Sequence, residues 1–218
     1  MNEILNDGRL KYKRYPRAVE STSPGRPRDP AVDERITAAA VEVFARQGWT
    51  GFSLDAVART AGVGKASIYL RWSDKEALLT DAMAAVFAPI AHIDSGTLRG
   101  DLEQLAALLL TLYADGVRGT AARRIVVESE VTETVRDRWA TVRSEQIATT
   151  RAIVRRAVER GELATDAPVA LLLDSLCGAA MLHPVAVPAD HLTQDALARH
   201  AAAMVDFVLA GAAAYTRR

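Results

Sequence analysis

The fold turns on one stretch, Ser53-Leu54-Asp55-Ala56-Val57-Ala58-Arg59-Thr60-Ala61-Gly62-Val63-Gly64-Lys65-Ala66-Ser67-Ile68-Tyr69-Leu70-Arg71-Trp72. Ser53 is a capping residue, and Leu54, Val57 and Ala58 follow it at helical spacing on one face. Gly62 is able to end that helix in the left-handed conformation. Val63 and Ile68 then point back into the same small core, so a second short helix crosses the first through a tight turn. Such a steep crossing needs a close approach, and alanine at position 58 leaves room where a larger side chain would wedge the helices apart. The pattern is a helix-turn-helix.

Toward the N-terminus, Asp29-Pro30 supplies an N-cap followed by proline at the first helical position, where its missing donor costs nothing. Ile36, Ala40, Val43 and Phe44 lie on one face of the helix that starts there, and Gly48 is placed to end it. Residues 1–24 lack an apolar helical period, and residues 21–28 are too rich in turn formers and proline for a helix. Together, residues 1–28 read as a flexible basic arm. Residues 1–30 hold seven basic groups against four acidic ones, whereas residues 81–218 are mildly acidic. Either a polyanion meets the front of the chain or the basic segment is a solubilising tail.

Toward the C-terminus, Ser73-Asp74-Lys75-Glu76 has the form of a capping box with Ser73 as the cap. A fourth helix is predicted to about Ala88. Pro89 and Asp94-Ser95-Gly96-Thr97 break the pattern, so residues 89–97 read as a connection between two units, 29–88 and 89–218. Beyond it every periodic segment is helical, which makes the chain all-α. Leu98, Leu102, Leu105, Leu109, Leu112 and Tyr113 form a stripe closed by Gly116 and Gly119. Val135, Trp139, Val142, Gln146, Thr150, Ile153 and Ala157 trace a long helix ended by Gly161. Thr165 or Asp166 is expected to cap the next, with Pro168 in its first turn, and Thr193 to begin the last.

Those last two helices each carry two apolar stripes. On the first, Val169, Leu172, Leu173, Leu176 and Ala180 form one, and Leu171, Ser175, Gly178 and Leu182 the other. On the second, Leu197, Ala201, Met204, Val205 and Val208 oppose Ala203, Phe207, Ala210 and Ala214. A helix apolar on two sides must be covered on two sides. Either both helices pair with their symmetry mates in a homodimer, the commonest oligomer, or they are wholly buried within one chain; the sequence favours the dimer.

Composition excludes several classes of function. The 218 residues carry 27 basic and 27 acidic side chains, with 50% hydrophobic and 25% charged. That is neither an electrostatic coat for nucleic acid nor a disordered chain. A single cysteine, Cys177, allows no internal disulfide and no cysteine-based zinc site. His92, His183, His191 and His200 lack paired metal-ligand spacing, and neither a phosphate-binding glycine loop nor a nucleophile elbow is present. No enzyme, cofactor or metal is implied. The apolar windows 105–112 and 196–215 are respectively too short and interrupted by Arg199, His200 and Asp206, so no membrane span is expected. The N-terminus does not resemble a signal peptide, and a cytoplasmic address is expected.

Phe44, Gly48, Trp49, Phe52 and Ser53, then Ala58, the run Ala61 to Tyr69, and Trp72 with Ser73-Asp74-Lys75-Glu76-Ala77-Leu78, resemble the DNA-binding domain of the TetR/AcrR family of bacterial transcriptional regulators. The resemblance covers residues 33–80; beyond it, Arg160-Gly161-Glu162-Leu163 is loosely similar. It implies an all-helical homodimer in which residues 29–88 bind operator DNA and residues 89–218 bind a small-molecule effector and dimerise. The usual member is a repressor released from its operator. Carried over by position, Lys65, Ala66, Ser67 and Tyr69 match the face that enters the major groove, and Ser53 and Lys75 match phosphate contacts. Leu70-Arg71 stands where many relatives carry histidine or tyrosine, so Arg71 is either a phosphate or guanine ligand or points away.

The chemistry of these side chains fits that assignment. Lys65 suits guanine O6 and N7, Ser67 several base edges, and Ala66 a thymine methyl. Helix starts near Ser53 and Gly64 present unpaired amides that suit phosphate oxygens. Gly25-Arg26-Pro27-Arg28 resembles the core of an AT-hook, which would suit Arg26 and Arg28 to a narrow minor groove; the alternative is a disordered basic tail. For the effector, Met83, Phe87, Leu109, Tyr113, Trp139, Cys177 and Met181 are candidates for an apolar pocket, with Arg143 or Gln146 orienting a polar group. Such a pocket suits a hydrophobic or amphipathic compound. The competing reading is a ligand-binding helical dimer without operator control.

Overall fold

The computed structural model describes residues 29–131 and 133–215; the arm, with Arg26 and Arg28, lies outside them. Nine α-helices and two short 3₁₀ turns make up the regular structure among the described residues, with no strand. They are α1 (Pro30–Gly51), α2 (Leu54–Ala61), α3 (Lys65–Tyr69), α4 (Lys75–Phe87), α5 (Leu98–Ala114), α6 (Arg118–Val131), α7 (Glu133–Glu159), α8 (Val169–Ala186) and α9 (Gln194–Tyr215).

Local chemistry sets most of the boundaries. The Asp29 carboxylate accepts from the Ala31 N–H at 3.1 Å, with Pro30 opening α1. The Ser53 hydroxyl caps α2 by accepting from Ala56 N–H at 3.2 Å, and Gly62 ends it at φ 65°. Gly48, at φ 63° and ψ −172°, breaks α1 before its last residues. Three expected boundaries move. Asp74 rather than Ser73 caps α4, accepting from Ala77 N–H at 2.7 Å, and the Ser73 hydroxyl donates to Asp74. A carboxylate is the stronger acceptor for an N-terminal amide, so the cap shifts by one residue. Gly119 does not close α5 but lies inside α6, which starts where the Asp115 carboxylate accepts from the N–H groups of Val117 and Arg118. Thr165 and Asp166 leave α8 uncapped by a side chain, and the helix begins after Pro168.

Helices α1 to α4 form the front of the molecule around Ile36, Phe44, Phe52, Val57, Ile68 and Leu78, all at most 1% exposed. The Phe44 and Phe52 rings meet edge to face at 6.2 Å, and Trp49 stacks on Phe52. Helix α5 is the axis of the rest, packing on α6, α7, α8 and α9. Its buried charge is Asp101, fully enclosed, which accepts from Ser95 N–H (2.5 Å), the Ser95 hydroxyl (2.8 Å) and Arg156 Nη2 (3.1 Å). Burial alone would raise the Asp101 carboxyl, but those donors outweigh it and hold the group below its usual range. Glu162, from the segment loosely similar to the family, accepts from Leu98 N–H at 2.6 Å and pairs with Arg160, so it fastens the start of α5.

The front and the rest share one continuous apolar core. Helix α1 packs against α6, and α4 against α7. At the break in α1, a Cβ on Gly48 would stand 2.4 Å from Arg124 Nη1 and 2.6 Å from Glu128 Oε1. The two side chains pair at 2.9 Å, and Glu128 also accepts the Trp49 N–H.

Helices α8 and α9 divide as their two-stripe pattern predicts. Leu172, Leu173, Leu176 and Ala180, with Leu197, Ala201, Met204, Val205 and Val208, are buried. Leu171, Ser175 and Leu182, with Ala203, Phe207, Ala210 and Ala214, are exposed, and Gly178 is half-buried. Burial of both stripes within one chain is therefore not what the structure shows. By length and mean hydropathy (1.6 and 1.3) both helices are apolar enough to cross a membrane, contrary to the expectation drawn from the charges in α9. In the fold, their inner stripes pack against α5.

Candidate nucleic-acid interface and effector cavity

Ile68 anchors α3 from below, fully buried, and Trp72 closes the turn behind it with its indole N–H donating to Asp81 at 2.8 Å. The opposite face is open. Lys65 and Ala66 are exposed, Tyr69 is 58% exposed and Leu70 83%. Ser67 is half-buried at the edge of this face. The Lys65 ammonium is not idle there: it pairs with Asp55 of α2 at 2.6 Å, an exposed contact of small energy that a phosphate or guanine can displace.

Of the two directions the sequence leaves open for Arg71, a phosphate or guanine ligand or a side chain pointing away, the structure has it turned away from that face. Its Nε pairs with the Asp33 carboxylate and its Nη1 donates to the Ser67 carbonyl at 2.8 Å, with the side chain only 13% exposed. It therefore ties the end of α3 to α1. Of the phosphate candidates, the Ser53 hydroxyl is engaged as the cap of α2. The Lys75 ammonium lies over the Trp49 ring at 3.9 Å and donates to the Phe52 carbonyl at 3.4 Å, at the margin of the head.

The effector candidates are mostly packed core. Met83, Phe87, Leu109, Tyr113 and Trp139 are buried, and the Phe87 and Trp139 rings lie 5.7 Å apart. Cys177 and Met181 are half-buried. Burial and the neighbouring Cys177 raise the Tyr113 hydroxyl to about 12, and burial with Asp174 raises the Cys177 thiol to about 11, so both stay protonated. A small cavity of about 10 Å³ is lined by Met83 and Trp139. Its other walls are Trp49, Glu76, Leu79, Thr80 and Ile125. Periodicity identified the two central members but not Trp49 or Ile125, which reach the cavity only because α1 packs on α6. Two buried donors of α7, Trp139 Nε1 and Gln146 Nε2, have no hydrogen-bond partner among the described residues. Arg143 is exposed and does not line the cavity.

Comparison with known proteins places this geometry. Residues 36–82 match the profile described as bacterial regulatory proteins, tetR family, and residues 92–205 match that of a tetracyclin repressor-like C-terminal domain. The chain is 32% identical over 149 residues to the DNA-binding transcriptional repressor TetR of Mycobacteroides abscessus, covering 64% of this chain and 74% of that one. It is 31% identical over 150 residues to the HTH-type transcriptional regulator AqdR of Rhodococcus erythropolis, covering 66% and 70%. Among solved structures, the fatty acid degradation regulator FadR of Bacillus halodurans shares the fold at TM-score 0.67 and 17% identity, covering 85% of this chain and 98% of its own.

Proposed function

The chain belongs to the TetR family of helix-turn-helix transcriptional regulators, and from that premise we propose that it is a homodimeric repressor released from its operator by a small amphipathic molecule. One observation carries the DNA-reading half: the α3 face formed by Lys65, Ala66, Tyr69 and Leu70 stands clear of the protomer core on a buried, capped support. Ser67 lies at its edge, Ser53 and Lys75 are the proposed phosphate contacts beside it, and Arg26 and Arg28, outside the described residues, are the proposed minor-groove contacts. The M. abscessus relative is named a repressor, which sets the proposed direction of control.

The exposed apolar stripe of α8 and α9 is the proposed dimer face, built on Leu171, Ser175, Gly178, Leu182, Ala203, Phe207, Ala210 and Ala214. A twofold dimer brings two reading heads to successive major grooves about 34 to 36 Å apart. The effector is read from the buried core: an apolar body separating α4 from α7, with an acceptor that satisfies Trp139 Nε1 or Gln146 Nε2. A cavity of about 10 Å³ is too small for such a molecule, so binding must favour a more open state, tilt α4 and change the spacing of the heads. A thousandfold preference for that state supplies about 4 kcal/mol.

The test is a gel shift with the gene's own upstream DNA at moderate salt, followed by a thermal-shift screen of metabolites and drugs. A complex that survives non-specific competitor, and is dissolved by a compound that raises the melting temperature, is the expected result. A complex lost to competitor at every concentration would overturn the operator reading.

A further inference from the structure

The outward face of α3 carries few hydrogen-bonding side chains, chiefly Lys65 and the Tyr69 hydroxyl. Arg71 is turned inward on Asp33 and the Ser67 carbonyl, Lys65 is paired with Asp55, and Ser67 is half-buried. What faces outward is Lys65, Ala66, Tyr69 and Leu70, and of these Ala66 and Leu70 carry no polar side-chain group. The Leu70 N–H bonds to the Ala66 carbonyl at 3.0 Å, so the helical turn runs from Ala66 through Tyr69 to Leu70. Tyr69 and Leu70 follow Ala66 by three and four residues, which sets them side by side on one face. Leu70, at 83% exposure, is the most exposed large hydrophobic side chain among the described residues, and it contributes nothing to the core beneath.

Resting on the DNA-binding reading above, we infer that Leu70, backed by Ala66, is a specificity-determining residue that packs on the C5 methyl group of a thymine in the major groove. Among the groups base pairs display there, only that methyl is apolar. An aliphatic side chain held out from the head gains little beside a carbonyl or amino edge, whose water it would displace without replacing the hydrogen bond. Against a methyl it excludes water from both partners. Ala66 keeps the turn below Leu70 shallow, so the base edge can approach. The two side chains thus give the head a means of separating T·A from C·G where its hydrogen-bond donors are few.

The experiment uses the full-length protein and a duplex that it enriches from a randomised pool. Each thymine of a half-site is replaced in turn by deoxyuridine, which removes the methyl group and leaves the pairing intact, and Kd is measured for the wild type and for Leu70→Ala. The wild type should lose about fourfold at one position per half-site, the factor for burying a single methyl group, and roughly the square of that when both half-sites are changed. Leu70→Ala should bind the unmodified duplex correspondingly more weakly and be indifferent to the same deoxyuridine. Its melting temperature should match the wild type, because Leu70 supports no core contact. A Leu70→Ala variant that weakens every duplex equally while keeping the deoxyuridine penalty would put Leu70 against sugar and phosphate, and an unchanged affinity would put it off the DNA; either overturns the inference alone. A pool with no enriched duplex would overturn the DNA-binding reading and this inference with it.

Discussion

The backbone N–H of Trp49 donates to the carboxylate of Glu128 at 2.6 Å, joining the break in α1 to the last turn of α6. Arg124 holds the other carboxylate oxygen at 2.9 Å, and Gly48 leaves the space that both side chains occupy. Glu128→Ala should cost about 1–2 kcal/mol through loss of this charge-assisted bond, and Glu128→Gln less, because it keeps an acceptor. Gly48→Ala should cost about 1–3 kcal/mol, since its φ and ψ suit glycine almost exclusively and Arg124 must also move. Thermal unfolding checks this at about 2–4 °C per kcal/mol for a chain of this size.

Replacing Arg71 with alanine should weaken the fold before it weakens DNA binding. The change leaves the partly enclosed Asp33 carboxylate without its Arg71 partner and the Ser67 carbonyl without this donor, at about 1–3 kcal/mol. Chemical denaturation reports that loss directly. At a temperature where the variant is folded, the slope of log Kd against log salt should be unchanged, whereas loss of a phosphate contact would reduce it by about one unit.

Acid should destabilise the protein in two stages. His200 stacks on His183 at 3.6 Å, and burial followed by its neighbour's charge lowers its proton affinity from the ordinary 6.5. A histidine shifted downward stabilises the fold above its ordinary value and gives up that contribution as pH falls through the depressed one. Asp101 and Glu162, also shifted downward, contribute above the ordinary carboxylate range and lose it at lower pH still. Unfolding midpoints measured from pH 7 to 3 should fall first below about pH 6.5 and again below about pH 4. His200→Gln should remove the first step and leave the second.

The dimer proposal has its own readout. Phe207 is 79% exposed and Leu182 61% on the outward faces of α9 and α8. Phe207→Glu with Leu182→Glu should yield a folded monomer by sedimentation, with unchanged helicity and a large loss of operator affinity, because two linked half-sites bind far better than one. A double variant that remains dimeric would place the interface elsewhere.

Features set within a few residues were the legible ones. Asp29, Ser53 and Gly62 act where capping chemistry puts them, because the bonds they make span at most a few positions. The two stripes of α8 and α9 were legible because burial follows the helical period. Adjacent acceptors defeated the reading at Ser73 and Asp74, where both fit the spacing and the charge decides. Sequence alone leaves two directions open for Arg71 because its partner Asp33 lies 38 residues away, and it does not show the Glu128 contact because Trp49 lies 79 away. The cavity was half legible for the same reason: Met83 and Trp139 show in their own helices, but the walls from α1 and α6 require the tertiary packing.

The shared core of the front and rear helices has a genetic consequence. Because one apolar core runs through both halves, a change that loosens the packing along α1, α4 or α6 should alter the pose in which the heads are held. If the chain is the repressor proposed above, variants with constitutive expression of its target should therefore scatter through the interior, many of them far from any effector contact, and a screen for them would map the joint rather than the pocket.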